Sequence, residues 1–350
     1  MKKPHAATLF GAAVLFFAAV GILQEPAHEM AGGPRSESLH NIGTFSIVAL
    51  DPDNGDLGVA VTSKFFAAGS IVPSAEPGVG AVATQAFANA SYGPRGLELL
   101  RQGLSAEAVV KRLIAEDPEG GDTRQLAVVD AQGRVANHTG SRCIVWAGGL
   151  KSEQRPNIYS VQGNILAGED VVRSMAKAFE TTPGELADRM MAALDAGQAA
   201  GGDHRGRQSA GMLVVRKGAG FNGYSDHYVD IRVDDNPEPL KELRRLLHRA
   251  HTITRFFRAI ELDKRGDLPG AIEELKLAIK NEPDYPDTHY SLATYYARSG
   301  KSQLAVRALK RALELNPMLK RLAQLDTNLQ SLKNNAEYKQ LIAVSRRKKE

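Results

Sequence analysis

Apolar and polar positions change rhythm several times along the chain, and each change marks an element. Gly43–Lys64 holds two short apolar runs around Asp51-Pro52-Asp53-Asn54-Gly55-Asp56. The pattern predicts two strands joined by a tight turn. Asn54-Gly55 between such runs favours a type I′ turn, in which both central residues take positive φ. Ser70–Val72 and Gly80–Phe87 predict two more strands, the second almost continuously apolar. Helical spacing follows from Pro94 to Gln102, with Gly103 as its stop, and from a Ser105 cap to Ala115. Gln125–Asp130 and Arg134–His138 read as a hairpin, and Tyr159–Leu166 as a strand. Glu169–Glu180 and Pro183–Ala196 are amphipathic helices, and Ser209–Arg216 and Tyr228–Val233 are the last strands. Strands, two helices, strands, two helices, strands is the order that a four-layer αββα sandwich needs, with helices covering two stacked sheets.

A different rhythm begins after a bridging helix from Pro237 to about His251. Ala271, Leu275, Ala278 and Pro283 recur 34 residues later as Ala305, Leu309, Ala312 and Pro317, and Gly266 and Gly300 keep the same spacing. Small alanines let paired helices approach closely, and the prolines end the second helix of each unit. This period resembles the tetratricopeptide repeat, with Leu292, Ala293 and Tyr296 on the first helix of the second copy. In the first copy Arg258 stands where a large apolar residue is usual. Two copies do not bury a solenoid core alone, so closing helices are expected within Leu319–Leu341.

Charge sharpens this division. Residues 1–247 carry 24 Lys and Arg against 28 Asp and Glu; residues 248–350 carry 20 against 12. The basic excess sits on the repeats, as a solvated helical face or as a surface for an acidic partner. At the start, Lys2 and Lys3 precede a charge-free apolar run from Thr8 to Leu23, the length of a signal-peptide core and short for a spanning helix. No clean small-x-small cleavage site follows, so residues 1–30 are a signal peptide or an uncleaved anchor. Residues 31–43 read as a linker. The body is expected outside the cytoplasm: periplasmic, secreted or anchored. Cys143 is the single cysteine, which excludes an internal disulfide and a Cys-rich metal site. It lies in an apolar run and is expected to be a buried, inert thiol.

Several motifs in order resemble a bacterial and archaeal family known as DUF1028. They are Thr44-Phe45-Ser46-Ile47-Val48-Ala49, Gly78-Val79-Gly80-Ala81-Val82-Ala83-Thr84-Gln85-Ala86-Phe87 and Tyr92-Gly93-Pro94-Arg95-Gly96-Leu97. They continue as Ser160-Val161-Gln162-Gly163-Asn164 and Gly201-Gly202-Asp203-His204-Arg205-Gly206-Arg207-Gln208-Ser209-Ala210. The resemblance runs from Thr44 to about Leu240. It implies an N-terminal-nucleophile (Ntn) hydrolase-like fold and supplies no substrate. The fold class expected is therefore α+β: a four-layer αββα Ntn-hydrolase-like sandwich over residues 44–240, followed by an all-α tetratricopeptide-type helical repeat domain over residues 252–342.

In such a fold the residue that opens the first strand is the nucleophile, and here it is Thr44. Its own backbone amine, once freed, serves as the general base. A threonine at a strand start is equally an ordinary β-branched residue. Lys64, at the end of the second strand, is placed to lower the pKa of that amine by like charge, or is a surface lysine. The resemblance to proteasome-type relatives implies supporting roles for Asp203 and Ser209, which flank a Gly-rich turn. Asp203 otherwise caps that turn or pairs with Arg205 or Arg207. Ser46, Ser63, Gln85, Asn89 and Asn164 are the candidate substrate-binding residues, polar groups in apolar or Gly-rich surroundings. Proteasome subunits carry an aspartate and a lysine where this chain has Thr62 and the Ser70–Val72 run, a departure that bears on mechanism more than on fold.

Other chemistries find little support. Asp203-His204 is too little for a metal, and the Asp51–Asp56 loop has its glycine one place early for a calcium loop. No phosphate loop and no G-x-S-x-G elbow occur. The function expected is an exported amidohydrolase without cofactor or metal, with the repeats as a docking module. The alternative is a non-catalytic Ntn-like binding or scaffold protein acting through those repeats. The expected partners are a small-molecule or peptide amide, a protein on the repeats and a second copy of the chain, with no nucleic acid.

Overall fold

The computed structural model describes residues 43–220 and 223–343. The signal or anchor segment, the linker before Gly43 and the basic tail Arg346–Lys349 lie outside the described residues.

The first strands, β1 (Thr44–Leu50) and β2 (Leu57–Ser63), form the expected hairpin, with Thr44 opposite Ser63 and Leu50 opposite Leu57. The turn differs from the type I′ expectation. Only Gly55 takes a positive φ, of 80°. Asp51 N–H bonds to the Asp56 carbonyl, and Gly55 N–H to the Asp51 carbonyl. Pro52 explains the longer loop, since its fixed negative φ suits the start of a right-handed turn that glycine then closes.

Six further strands follow the sequence pattern closely: β4 (Gly80–Ala86), β5 (Arg124–Asp130), β6 (Val135–Thr139), β8 (Asn157–Leu166), β9 (Ser209–Val215) and β10 (His227–Val233). Two places depart from it. Ala68–Ser70 is a single 3₁₀ turn, and the strand lies beyond it as β3 (Pro73–Glu76). An unanticipated strand, β7 (Trp146–Gln154), stands at a sheet edge. Its glycines and charged residues suit an edge and give no buried-strand rhythm.

Among the described residues the strands form two antiparallel sheets. One is six-stranded, in the order β10-β9-β2-β1-β8-β7, and the other four-stranded, in the order β3-β4-β5-β6. Because side chains alternate along a strand, β1 serves two cores at once. Val48 and Leu50 join Val59, Val61, Ala81, Ala83, Ala127 and Val129 between the sheets. Phe45, Ile47 and Ala49 face the other way, onto α3 (Asp170–Thr181) and α4 (Leu186–Ala199). The four-stranded sheet buries Val82, Leu126 and Val128 under α1 (Tyr92–Arg101) and α2 (Ala106–Ala115). Helices thus cover the outer face of each sheet.

The bridging helix is longer than the pattern predicts. α5 runs unbroken from Pro239 to Lys264, about 39 Å at 1.5 Å per residue. No Gly or Pro interrupts it after its first residue. Leu240, Leu243 and Leu247 complete the core of the six-stranded sheet, while Ala259, with Phe256 and Leu262 beside it, joins the repeat core. The repeats follow as α6 (Leu268–Asn281), α7 (Pro286–Arg298) and α8 (Ser302–Leu315). Ala271, Ala278, Ala305 and Ala312 are fully buried, and Gly266 and Gly300 hold left-handed φ at equivalent turns. The closing helices are α9 (Leu319–Leu325), a 3₁₀ segment Thr327–Leu332 and α10 (Ala336–Ile342). Among the described residues no helix is long and apolar enough to cross a membrane.

Leu243 is fully buried where α5 meets the first core. Leu243→Ala is expected to cost about 2–5 kcal/mol, the range for an emptied leucine site. Urea unfolding followed by the fluorescence of Trp146 measures this; a loss below about 1 kcal/mol would show that α5 contributes little to that core.

Candidate active site

The layer between the two sheets changes character toward one end. On the inward positions of β1, valine and leucine give way to Ser46 and Thr44; on β8, Ile158 gives way to Ser160, Gln162 and Asn164. On the facing sheet Ala83 and Ala127 give way to Gln85 and Gln125. These polar side chains are all buried. Unpaired, each would cost about 1–3 kcal/mol, so they must satisfy one another.

They do so in one connected network. Ser46 donates to Gln85 Oε1 at 2.5 Å and accepts from Gln162 Nε2 at 2.7 Å. Gln85 Nε2 donates to Gln125 Oε1 at 2.8 Å and reaches the Thr44 carbonyl at 3.4 Å. Asn164 donates to Gln125 Oε1 at 2.9 Å, and Gln125 Nε2 to the Gly163 carbonyl at 2.8 Å. Ser160 donates to Gln162 Oε1 at 2.8 Å. These bonds fix which way each amide faces.

Thr44 sits at the head of this network, fully buried, between Ser63 on β2 and Asn164 on β8. Thr44 Oγ1 lies 2.9 Å from Ser63 Oγ. The Ser63 hydroxyl donates to the Gly43 carbonyl. A serine has one proton to give, so Thr44 must be the donor in its bond to Ser63. The Gly43 carbonyl also accepts from Arg205 Nη2 at 2.9 Å. The peptide carbonyl just before Thr44 is therefore held by a hydroxyl and a guanidinium.

Arg205 is placed there by Asp203, whose side chain is 1% exposed. Asp203 Oδ2 accepts from Lys64 N at 3.0 Å and Arg205 Nη2 at 2.8 Å; Oδ1 accepts from Arg205 N at 2.9 Å and Nε at 3.1 Å. Of the two arginines open to it from the sequence, Asp203 takes Arg205; Arg207 pairs with Glu238 instead. A short bridge from Asp203 to Leu166 fixes this turn to the end of β8.

The sequence candidates divide accordingly. Thr44, Ser46, Ser63, Gln85 and Asn164 lie together in the network, and Asp203 lies beside Gly43. Ser209 shares their register row, opposite Ser63, but its hydroxyl donates to the Phe65 carbonyl and accepts from Ala68 N, tying down the segment after β2. Lys64 places its backbone N–H on Asp203 and turns its exposed side chain out to the Arg207 carbonyl, 3.4 Å away. Gln125, Gln162 and Arg205 were not singled out as site residues. A signal for Gln162 was present: Ser160, Gln162 and Asn164 are polar at every second position of one strand.

Asn89 belongs to a separate cluster. Its amide donates to Asp117 Oδ2 at 3.3 Å. That carboxylate also accepts from Tyr92 at 2.5 Å and from Arg124 Nε at 2.8 Å. The Arg124 bond, helped by Tyr92 and Asn89, holds Asp117 far below the usual carboxylate range, while burial and Asp117 push the Tyr92 phenol far above its own. Cys143, half-buried, lies 3.5 Å from the Arg124 carbonyl, and burial raises its thiol. Among the described residues no group of three or more His, Cys, Asp or Glu is placed to hold a metal.

Two stacked sheets, with a strand-opening threonine at the head of a buried polar network, define a mixed α/β domain joined to a helical repeat. The chain belongs to the family of unknown function DUF1028, whose model matches residues 44–243, and a TPR repeat model matches residues 261–300. α5 carries the end of the first match and the start of the second. The chain is similar to the crystal structure of protein SPO2555 from Silicibacter pomeroyi, described as a DUF1028 protein. The two are 30% identical with a TM-score of 0.54, over 59% of this chain and 86% of that one. No curated protein matches the chain.

The Asp117 cluster gives a pH prediction. Its folded pKa lies below the unfolded one, so its stabilisation is complete above about pH 4 and is lost as the pH falls further. Asp117→Asn is expected to destabilise the protein at pH 7 by about 3–5 kcal/mol, by leaving Arg124 short of its buried partner. It should also flatten the loss of stability between about pH 4 and pH 2. Thermal melts across that range test both; an unchanged acid limb would remove Asp117 as its source.

Proposed function

We propose that the chain is an N-terminal-nucleophile amidohydrolase that frees Thr44 by cutting its own Gly43–Thr44 bond. The observation that supports this is the Gly43 carbonyl, held by Ser63 and Arg205 beside the Thr44 hydroxyl. In the cut, Thr44 Oγ1 bonds to the Gly43 carbonyl carbon and the π electrons move to its oxygen, where two donors stabilise the charge. The Thr44 proton passes to Ser63 Oγ as Ser63's own proton moves onto that oxygen. The C–N bond then breaks, the nitrogen takes up this proton, and water hydrolyses the resulting ester. The freed amine of Thr44 is then the base for its own hydroxyl in attack on an amide substrate. The Gln85–Gln125–Gln162–Asn164 network is a rigid backing for that attack, and no cofactor is needed.

In this reading the hydrolase domain ends near residue 240, and the repeats of residues 252–342 dock a protein partner. The apolar run Thr8–Leu23 sends the body out of the cytoplasm, as a signal peptide or as an anchor. One observation favours the alternative, a non-catalytic binding protein: Lys64, expected near the amine, turns its side chain outward.

The full-length protein, incubated at neutral pH, is expected to yield a chain beginning at Thr44 by intact mass. Thr44→Ala and Ser63→Ala should stay uncut, and Arg205→Ala should cut about 100-fold more slowly or worse, as for loss of one oxyanion donor. Full occupancy of an intact His40-Asn41-Ile42-Gly43-Thr44 peptide in protein from the native envelope would exclude threonine catalysis and leave the binding module.

A further inference from the structure

The same contacts around Gly43 bear on the substrate. The acyl shift joins the Gly43 carbonyl carbon to Thr44 Oγ1, and this ester is of the same kind as the acyl-enzyme of a glycyl amide. The place that Gly43 occupies is therefore a record of the shape that the acyl group of a substrate must have.

That place has no room for a side chain. A Cβ built on Gly43 would lie 2.8 Å from Arg205 Nη2 and 2.8 and 2.9 Å from the two carboxylate oxygens of Asp203. Carbon does not approach nitrogen or oxygen so closely without displacing it. The arginine end alone would swing aside easily. The aspartate would not, since its oxygens are held by the backbone N–H groups of Lys64 and Arg205 and its side chain is 1% exposed. Moving it would strand a buried charge, and an alkyl group pressed against it would strip hydrogen-bonding space from a carboxylate.

We infer that the acyl site of Thr44 takes acyl groups unbranched at the α-carbon, glycyl amides being the type, and that the Asp203–Arg205 pair is the wall that sets this limit. The inference rests on the reading of Thr44 as nucleophile. In turnover Thr44 Oγ1 bonds to the substrate carbonyl carbon and its proton goes to the Thr44 amine. The carbonyl oxygen takes the charge at Ser63 and Arg205. The C–N bond breaks, and the leaving amine takes the proton from the Thr44 ammonium. Water then attacks the ester, gives a proton to the amine and releases the carboxylic acid as Thr44 Oγ regains its hydrogen.

The test uses protein whose terminus is Thr44 by intact mass. It is mixed in parallel with the p-nitrophenyl esters of N-acetylglycine and N-acetylalanine. Nitrophenol release is timed, and the acylated residue is located by peptide mass. Acylation of Thr44 by the glycyl ester about tenfold or more faster than by the alanyl ester is expected, since a refused methyl group is worth at least that much. Equal rates, or a faster alanyl ester, would overturn the inference and leave Thr44 as the nucleophile. No acylation of Thr44 by either ester would overturn the reading of Thr44 and the inference with it. A second measurement needs no added substrate: Gly43→Ala in the full-length chain should slow the cut at residue 43 about tenfold or more, with circular dichroism unchanged. Cutting at the native rate would show that the wall yields.

Discussion

A buried carboxylate cannot stand alone, and Asp203 sits with its side chain almost wholly out of water. Its compensation dictates the geometry at the open end of the sheets. One oxygen draws the chain leaving β2, through Lys64 N, and the other closes its own turn, through Arg205 N. The remaining bonds go to the guanidinium, which is thereby aimed at the Gly43 carbonyl. Three segments distant in sequence, at residues 43, 64 and 203–205, are fixed to one another by one charge. Asp203 cannot shift its carboxylate without releasing Lys64 N at the end of β2 and the guanidinium that it aims. The pair is held by more than Coulomb attraction, which is the condition under which a buried ion pair keeps its geometry.

The polar layer obeys a second constraint, the period of two. Thr44 and Ser46 face the second sheet only because Phe45 and Ile47 face α3 and α4. A one-residue slip of β1 would place the phenyl ring among the glutamines and the threonine under the helices. The large apolar residues on one face therefore hold the nucleophile candidate on the other. Valines in place of Gln85, Gln125 and Gln162 would meet the needs of packing alone. A core that keeps four amides and several hydroxyls, linked in one hydrogen-bonded network, departs from that rule, as a functional site does.

Much of this was legible in the sequence. Strand alternation and helical spacing located most elements of the sheet domain, and a 34-residue period located the repeats. What stayed hidden has physical causes. β7 lies at an edge, where charge and glycine replace the buried rhythm. The turn at Asn54-Gly55 looks like a two-residue hairpin until the fixed φ of Pro52 is allowed for. Gln125 reads as an ordinary polar strand end until β4 is laid beside it. Arg205 is invisible as a site residue because its role depends on a contact with Gly43, 162 positions away. Polar residues that stand out against an apolar or Gly-rich stretch, such as Thr44, Gln85 and Asp203, are legible in the sequence; Gln125 and Arg205, whose surroundings exist only in the fold, are not.

The length of α5 is the last of these, and it changes how the two regions relate. A tetratricopeptide unit needs two helices, and the first unit here has only α6 to itself. Its other helix is the second half of α5, whose first half is packed on the six-stranded sheet. Arg258, out of place on an apolar repeat face, finds Glu274 at 3.2 Å, and Arg255 reaches the same carboxylate at 3.0 Å. A charged contact thus replaces the usual apolar one at the junction. It keeps this turn of α5 compatible with water, while Ala259 one residue on is wholly buried. A helix can serve two cores only if its faces change identity along its length, and Arg255 to Ala259 is where this one enters the repeat core.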